Sequence, residues 1–210
     1  IIMLITQLVF IIPFTIIDNL NIFSNYKIQK NKFPSLKLQW KAAKLYFFNS
    51  FLIWMIFIGS TKLFKWNLFK AMGIRADSTF PSFIEIFLQL ILFFIIDDFW
   101  FYTYHRIFHQ VPYLYKKFHK IHHTFTTPFV LASQANHPVE QLLQGIGFFL
   151  GVILFKPHLI AFWIWLIVRQ AMGFCDHLGY DFQWTAWMYP VLGGPKFHDL
   201  HHEKNVGNFA

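Results

Sequence analysis

Residues 105–123 read HRIFHQVPYLYKKFHKIHH, and this stretch decides how the rest of the chain is interpreted. It contains two histidine boxes, one of the form HxxxH that begins at His105 and one of the form HxxHH that begins at His119. Side chains at positions i, i+3 and i+4 lie on one face of a helix, so each box directs two or three imidazoles at one point. This pattern indicates a metal site that is built on helices.

A third box, at positions 198–202, repeats the HxxHH pattern, and single histidines lie between the boxes. A lone histidine on an apolar helix is more often a packed residue than a ligand. Ten imidazoles brought together would instead repel one another if protonated and would lack donors if buried and neutral, so we expect them to share cations. The predicted metal ligands are His105, His109, His119, His122, His123, His137, His177, His198, His201 and His202.

The number of histidines, more than their chemistry, indicates which metal they bind. Neutral imidazole suits zinc, copper, iron and nickel alike. A structural zinc site needs four ligands and usually includes cysteine, whereas this chain has only Cys175. Ten ligands are too many for one ion, and two ions with about five imidazoles each would leave positions open for a small molecule. We therefore predict two metal ions, with iron as the first choice and zinc as the alternative.

The composition is that of a membrane protein. Of the 210 residues, 56% are apolar and 21% are aromatic, far more than a soluble domain of this size requires. The net charge of +8 does not indicate nucleic-acid binding, because the basic residues are scattered between apolar runs. We expect these residues to flank the membrane, attracted to anionic headgroups or to an acidic protein partner.

The apolar runs predict an all-α fold, a polytopic bundle of membrane helices. They cover residues 1–17, 45–59, 83–104, 141–155 and 159–172. The last two form a predicted hairpin whose arms are a little short for a full crossing, so whether it spans or re-enters stays open. The lysine-rich connector 18–44 is expected in the cytoplasm, which places the histidine-rich metal site on the cytoplasmic side.

We expect one structural domain, in which residues 1–82 supply membrane spans and connectors and residues 83–210 form the catalytic metal region. The chain has no initiator methionine and stops at Ala210 without a closing signal. The sequence is therefore interpreted as a fragment that is truncated at both ends, in which terminal targeting signals cannot be observed.

Several polar side chains near the boxes are candidates to contact the metal ligands. Asp98 and Tyr102 continue the helical stripe of the first box. A carboxylate at the bilayer centre costs about 2.5–3.5 kcal/mol, so the aspartate pair is expected either to face the metals or simply to mark the interface. The full set of candidates is Asp97, Asp98, Tyr102, Glu140, Asp176 and Asp199.

Two further patterns limit the chemistry. His158 lies at the tip of the predicted hairpin, one helix length from the other histidines, and is predicted not to be a ligand. Gly147 and Gly151 do not have the spacing of a dinucleotide loop and are interpreted as small residues for close helix packing. No bound nucleotide or flavin is predicted, so reducing electrons must come from another protein.

The three boxes in this order resemble those of the fatty acid hydroxylase and sterol desaturase superfamily, whose members are membrane non-haem di-iron oxygenases. Shorter segments are similar to its C-4 methylsterol monooxygenases: YKIQ at 26–29, NHPVE at 136–140, HLGYDF at 177–182 and GNF at 207–209. Leu178 and Gln183 stand where that group commonly has serine and proline.

The resemblance implies stepwise, O2-dependent oxidation of a 4-methyl group on a sterol precursor at two iron ions. It also implies electrons from NAD(P)H through a reductase and cytochrome b5, and an endoplasmic reticulum membrane. A sterol C-5 desaturase and a fatty acid or sphingolipid hydroxylase are alternatives within the superfamily. A zinc-binding membrane protein without oxygen chemistry is an alternative of another class, although histidine-rich transporter loops tend to lack the helical spacing of these boxes.

Overall fold

The structure, a computed structural model, describes residues 2–63, 68–188 and 193–209. Within these ranges the chain forms helices joined by short turns, and the sheet-like pairing is limited to two isolated bridges, Lys27 with Tyr180 and Arg75 with His158. The predicted all-α fold is confirmed.

Eight α-helices run through the described ranges: α1 Ile2–Asn19, α2 Leu36–Leu63, α3 Leu68–Ala71, α4 Phe83–Gln110, α5 Pro112–Leu114, α6 Pro138–Phe155, α7 Leu159–Asp176 and α8 Gly194–Lys204. A single π-helical turn, Tyr115–His119, follows α5. Short 3-10 turns cover Ser24–Tyr26, His122–Thr124, Val130–Gln134 and Gln183–Met188.

Four of the described helices, α1, α2, α6 and α7, are long and apolar enough to cross a membrane. The protein is therefore a multi-pass membrane protein. The two hairpin arms α6 and α7 have 18 residues each, about 27 Å of helix, which exceeds the runs predicted from apolar residues alone. Helix α4, predicted as a span over 83–104, has 28 residues but carries Glu85, Asp97 and Asp98.

Helix α2 is longer than the apolar run inside it, because the polar residues before that run are also helical. The run predicted over 45–59 lies within a helix of 28 residues. The hydroxyl of Ser35 accepts a 3.3 Å hydrogen bond from the backbone N–H of Leu38 and so caps the amino-terminal end of α2. Lysine favours helix, so the basic turns of α2 continue the structure beyond the apolar part.

The α4–α6 contact is made by two glycines. A Cβ atom at Gly147 would lie 2.7 Å from the Asp97 carboxylate, and one at Gly151 would lie 3.2 Å from the Cα of Phe93. Only a residue without a side chain allows this approach, as predicted for close helix packing. The contact sets the position of α4, whose far end carries the first histidine box.

A buried polar cluster fastens the connector after α1 to the segment after α7. The ammonium group of Lys27 donates a 2.9 Å hydrogen bond to Asp18, and the Tyr180 hydroxyl donates a 2.8 Å bond to the same carboxylate oxygen. The Lys27 and Asp18 side chains are 0% and 2% exposed. Gly179, at φ +70°, leaves room for the carbonyl of Pro128. The YKIQ and HLGYDF segments are therefore in direct contact with each other.

Candidate metal centre

The structure brings nine of the ten predicted histidines into two adjacent groups. In each group, one ring nitrogen from every member lies within 4.8 Å of those of all the others. The first group is His105, His109, His119, His123 and His201. The second group is His122, His177, His198 and His202.

The two groups do not correspond to the boxes in the sequence. In the second box, His119 and His123 face the first group, whereas His122 faces the second. In the third box the assignment is reversed, because His201 joins the first group while the pair around it, at 198 and 202, joins the second. Residues at i and i+4 share a helix face and the residue at i+3 is turned away from i+4 by about 100°. Each HxxHH box therefore connects both groups.

The local backbone of the second box departs from a regular α-helix. A π-helical turn ends at His119, where the N–H of Lys120 donates a 2.7 Å bond to the carbonyl of Tyr115. A 3-10 turn then begins at His122. Single π turns inside helical segments are frequent at functional sites, and this one sets the angle at which the box meets α4.

The Nε2 atoms converge at the spacing that a bound ion requires. In the first group, the Nε2 of His119 lies 3.1 Å from that of His105, 2.9 Å from that of His109 and 2.9 Å from that of His123. In the second, that of His198 lies 3.0 Å from His177 and 3.1 Å from His202. Nitrogen ligands about 2.0–2.1 Å from one metal ion are about 2.8–3.4 Å apart, depending on the coordination geometry, so the donor set fits a metal.

The hydrogen bonds of the outer ring nitrogens, Nδ1, determine the tautomer of several histidines. A carbonyl only accepts hydrogen bonds, so an Nδ1 atom beside one carries the proton and leaves the Nε2 lone pair free for a metal. Three rings have such a partner: Nδ1 of His105 lies 2.8 Å from the Phe209 carbonyl, that of His177 3.0 Å from the Gly173 carbonyl, and that of His201 2.6 Å from the Gly207 carbonyl. The Nδ1 of His119 lies 2.8 Å from the carboxyl group of Glu140.

The electrostatics keep the rings neutral. Burial lowers the pKa of His109, His119 and His122 to about 3, and that of His177 and His201 to about 4. Burial is likewise the main cause that holds the pKa of the remaining members far below its usual value: His105, His123, His198 and His202. Neutral imidazole is the form that binds metal, so the nine rings are ready for ligation at neutral pH.

Comparison with known proteins shows which family the chain belongs to. Residues 90–210 match the family model described as fatty acid hydroxylase. The chain belongs to the fatty acid hydroxylase family. It is an oxidoreductase, as predicted, and the family together with the histidine groups indicates a metal site.

Relatives of this chain have methylsterol monooxygenase names. It is 36% identical over 209 residues to methylsterol monooxygenase erg25B of Aspergillus fumigatus, covering 95% of this chain and 68% of the relative. It is 38% identical to a putative methylsterol monooxygenase of Dictyostelium discoideum, covering 95% and 73%. It is 38% identical to methylsterol monooxygenase 2-2 of Arabidopsis thaliana, covering 95% and 74%. No solved structure is significantly similar to the chain.

His137 is not brought into either histidine group. It is the N-cap residue of α6, and its Nδ1 accepts a 3.1 Å hydrogen bond from the N–H of Val139. Its ring packs 5.0 Å from that of Phe118. Capping turns the side chain back over the first turn of its own helix and away from the other histidines. The order Asn-His-Pro predicts a helix start, and this was the signal in the sequence that His137 caps α6.

His158 also caps a helix. Its Nδ1 accepts from the N–H of Ile160 at 3.3 Å, and its Nε2 donates to the carbonyl of Asp77 at 3.1 Å. It lies outside both groups. The 18 residues of α7, about 27 Å of helix, separate it from His177 in the second group.

The six polar candidates differ in where they lie. Glu140 is 2% exposed and contacts His119 directly, and among the described residues its second oxygen has no partner. Asp199 lies within the third box and accepts from Gln29. Asp97 forms an ion pair with Arg169 between α4 and α7.

The remaining three are not seen to contact a histidine. Asp98 is exposed. The Tyr102 hydroxyl accepts a hydrogen bond from Arg106 on the outer side of α4. Asp176 is half-buried at the carboxyl-terminal end of α7, where it interacts electrostatically with Arg169.

Other groups at the centre were not predicted from the sequence. The carbonyls of Phe209 and Gly207 orient two of the rings, and Gln29 holds the aspartate of the third box. A backbone carbonyl has no signature in residue type. Gln29 does lie in the YKIQ segment that the family resemblance singled out, which was the only signal for it.

An open pocket of about 320 Å³ reaches the first histidine group from outside. His109 lines it, together with Tyr115, Lys116 and Phe209. A small molecule in this pocket would lie beside the ring of His109.

Proposed function

We propose that this chain is a methylsterol monooxygenase, an enzyme that oxidises a methyl group at C-4 of a sterol precursor at two iron ions. The observation that carries the proposal is the convergence of nine Nε2 atoms in two adjacent groups at one end of a membrane helix bundle. The names of the relatives support the substrate and the reaction.

The two histidine groups would each hold one iron. Five imidazoles surround the first position and four the second, so an ion at the second position would have more coordination positions free. Such an all-nitrogen set suits iron as well as zinc, and the membership of an oxidoreductase family favours the redox metal. When bound, iron supplies the electron-transfer and O2 chemistry that imidazole and carboxylate lack.

The residues of the chain orient the ligands and exclude water. Glu140 accepts a hydrogen bond from the Nδ1–H of His119 and so raises the basicity of its Nε2. His119 and His201 are each 0% exposed, so the protein shields these two rings from bulk water. In this proposal the catalytic region is 83–210, and residues 1–82 support it within one domain, as the buried contact of Gln29 with Asp199 favours.

A sterol precursor is flat and apolar and dissolves in the bilayer that α1, α2, α6 and α7 would cross. Each oxidation step converts one C–H bond of the methyl group and one O2 to C–OH and water, and it consumes two electrons and two protons. We propose that the electrons come from NAD(P)H through cytochrome b5 and its reductase. We also propose that the centre faces the cytoplasm from the endoplasmic reticulum membrane, with the lysine-rich connector on the same side.

Product analysis tests the proposal. Cells that lack C-4 methylsterol oxidation accumulate 4-methyl sterols, and expression of this protein is expected to remove them. The His122→Ala variant serves as the inactive control, and metal analysis of the purified wild type is expected to find iron near two per chain. Persistence of 4-methyl sterols with formation of a desaturated or hydroxylated lipid would assign another reaction of the family. Zinc without lipid oxidation would reject the oxygenase.

A further inference from the structure

A basic groove of about 720 Å³ opens beside the amino-terminal turns of α2, apart from the nine histidines. Three of its lining residues are lysines, and none is acidic. The groove is lined by Ser35, Lys37, Leu38, Trp40, Lys41, Lys44, Leu45 and Ile121. It therefore combines a concentrated positive charge with an apolar wall.

The three lysines are aligned. Lys37, Lys41 and Lys44 follow one another at i, i+4 and i+7, which is one face of a helix. Lys41 donates a 2.9 Å hydrogen bond to the hydroxyl of Thr124. Within the described ranges no carboxylate forms an ion pair with any of the three. Their charge is thus available to an anionic ligand.

The groove lies at the level of lipid headgroups. Helix α2 has 28 residues, about 42 Å, which exceeds the hydrocarbon thickness of about 30 Å. Its lysine-bearing turns therefore extend into the headgroup layer, and Trp40, 66% exposed, suits the interface. Phe47, Phe48 and Phe51 further along the helix are exposed and suit the acyl region.

We propose that this groove binds the headgroup of an anionic phospholipid. The phosphate would lie among the three lysines, and the upper parts of the acyl chains would lie against Leu45 and the exposed phenylalanines of α2. Inorganic phosphate shares the charge, but Leu38, Trp40, Leu45 and Ile121 give the wall an apolar character that only a lipid satisfies. This inference does not depend on the reaction proposed above.

Bound lipid would also steady the second histidine box. Ile121 lines the groove, and Thr124, which holds Lys41, directly follows His123. A ligand that joins α2 to this segment is expected to raise the unfolding temperature of the protein, because it binds only the folded state.

Native mass spectrometry of the full chain, released from micelles, tests the site. Phosphatidylserine, phosphatidylcholine and inorganic phosphate are titrated separately. We expect phosphatidylserine to bind at least tenfold more tightly than phosphatidylcholine. The double variant K37Q/K44Q, which spares the bond from Lys41 to Thr124, is expected to weaken phosphatidylserine binding at least tenfold, since each lysine near a membrane surface accounts for about fivefold.

The matched control is K116Q/K120Q. These two lysines are also exposed and lie beside the second histidine box, so their loss removes the same charge as K37Q/K44Q but is expected to change affinity less than twofold. The variant K37R/K44R keeps the charge and is expected to keep the lipid. Helicity and the unfolding temperature without lipid verify that each variant is folded. If K37Q/K44Q does not fold, the single variant K44Q is used in its place.

Three results would overturn the proposal. Equal affinity for the two phospholipids would mean that the groove does not select charge. Equal loss in K37Q/K44Q and K116Q/K120Q would mean diffuse attraction to the whole basic surface. Binding of inorganic phosphate as tightly as phosphatidylserine would identify a site for a free anion.

Discussion

The side-chain amide of Gln29 donates a 2.7 Å hydrogen bond to Oδ1 of Asp199, a residue 170 positions away within the third histidine box. The same nitrogen donates a 2.8 Å bond to the carbonyl of Thr126, and the Gln29 oxygen accepts from Thr127 at 3.1 Å. Gln29 thus joins the segment after the second box to the helix of the third. Both boxes supply rings to both groups, so this amide sets the spacing of the whole centre.

Replacement of Gln29 tests this role. Gln29→Leu removes hydrogen bonds to a buried carboxylate and is expected to cost about 1.5–3 kcal/mol of stability and to lower bound metal per chain. Gln29→Glu places a second carboxylate against Asp199 and is expected to lower both further. Thermal unfolding and metal analysis measure the two effects, with the exposed Gln183→Glu as control. Metal content that is the same in all three variants would show that the amide has no positioning role.

A second prediction compares two buried histidines. His122→Ala removes one of four rings of the second group and is expected to lower metal content and to reduce turnover more than tenfold. His158→Ala removes the cap of α7 and is expected to cost about 1 kcal/mol of stability while metal and turnover stay near wild type. Metal analysis and product formation of both variants are the measurements. Equal loss of metal in the two would place His158 at the centre, against the structure.

Glu140→Gln tests the carboxylate behind His119. Burial disfavours the charged form of Glu140, and a metal ion on His119 would favour it. The amide keeps the size of the side chain and an acceptor oxygen but cannot take up that charge. Loss of such a partner typically weakens metal affinity or activity 10–100-fold, and a decrease of that order is expected in a metal-competition titration. Glu85→Gln, at a half-buried carboxylate in the first turn of α4 that pairs with Arg75 and lies away from the histidines, is the matched control. An affinity that decreases as much in the control would assign the effect to general charge.

The sequence predicted the helices and most of the centre because both depend on local periodicity. The apolar runs identified the membrane helices, and the spacing of each box identified the rings. The division of a box between two groups was not predictable, because the 100° between positions i+3 and i+4 matters only once a partner helix is in place. His122 and His201 therefore joined groups that the boxes do not define.

His137 shows a different limit. A histidine that follows asparagine and precedes proline could be either a metal ligand or a helix N-cap. The number of histidines in the sequence favoured the ligand. In the structure the backbone N–H of Val139 needs an acceptor at the start of α6, and the nearest side chain is that of His137. The carbonyl partners of the other rings, at Phe209 and Gly207, depend on the path of the chain, which no residue type reports.

The last prediction concerns the packing that positions the first box. Gly147→Ala would place a Cβ atom 2.7 Å from both the Asp97 carboxylate and the Trp100 ring, so these side chains or α6 itself must shift. Overpacking of this kind costs about 1–3 kcal/mol, and the shift is expected to reduce metal binding by the ring at the end of α4. Gly145→Ala, two residues earlier in the same helix, meets nothing within 4 Å and is expected to be neutral or to stabilise α6, because alanine favours helix. Unfolding temperatures of the two variants in the same detergent provide the comparison. Equal destabilisation would mean that α6 tolerates alanine poorly along its whole length and that contact with α4 is not the cause.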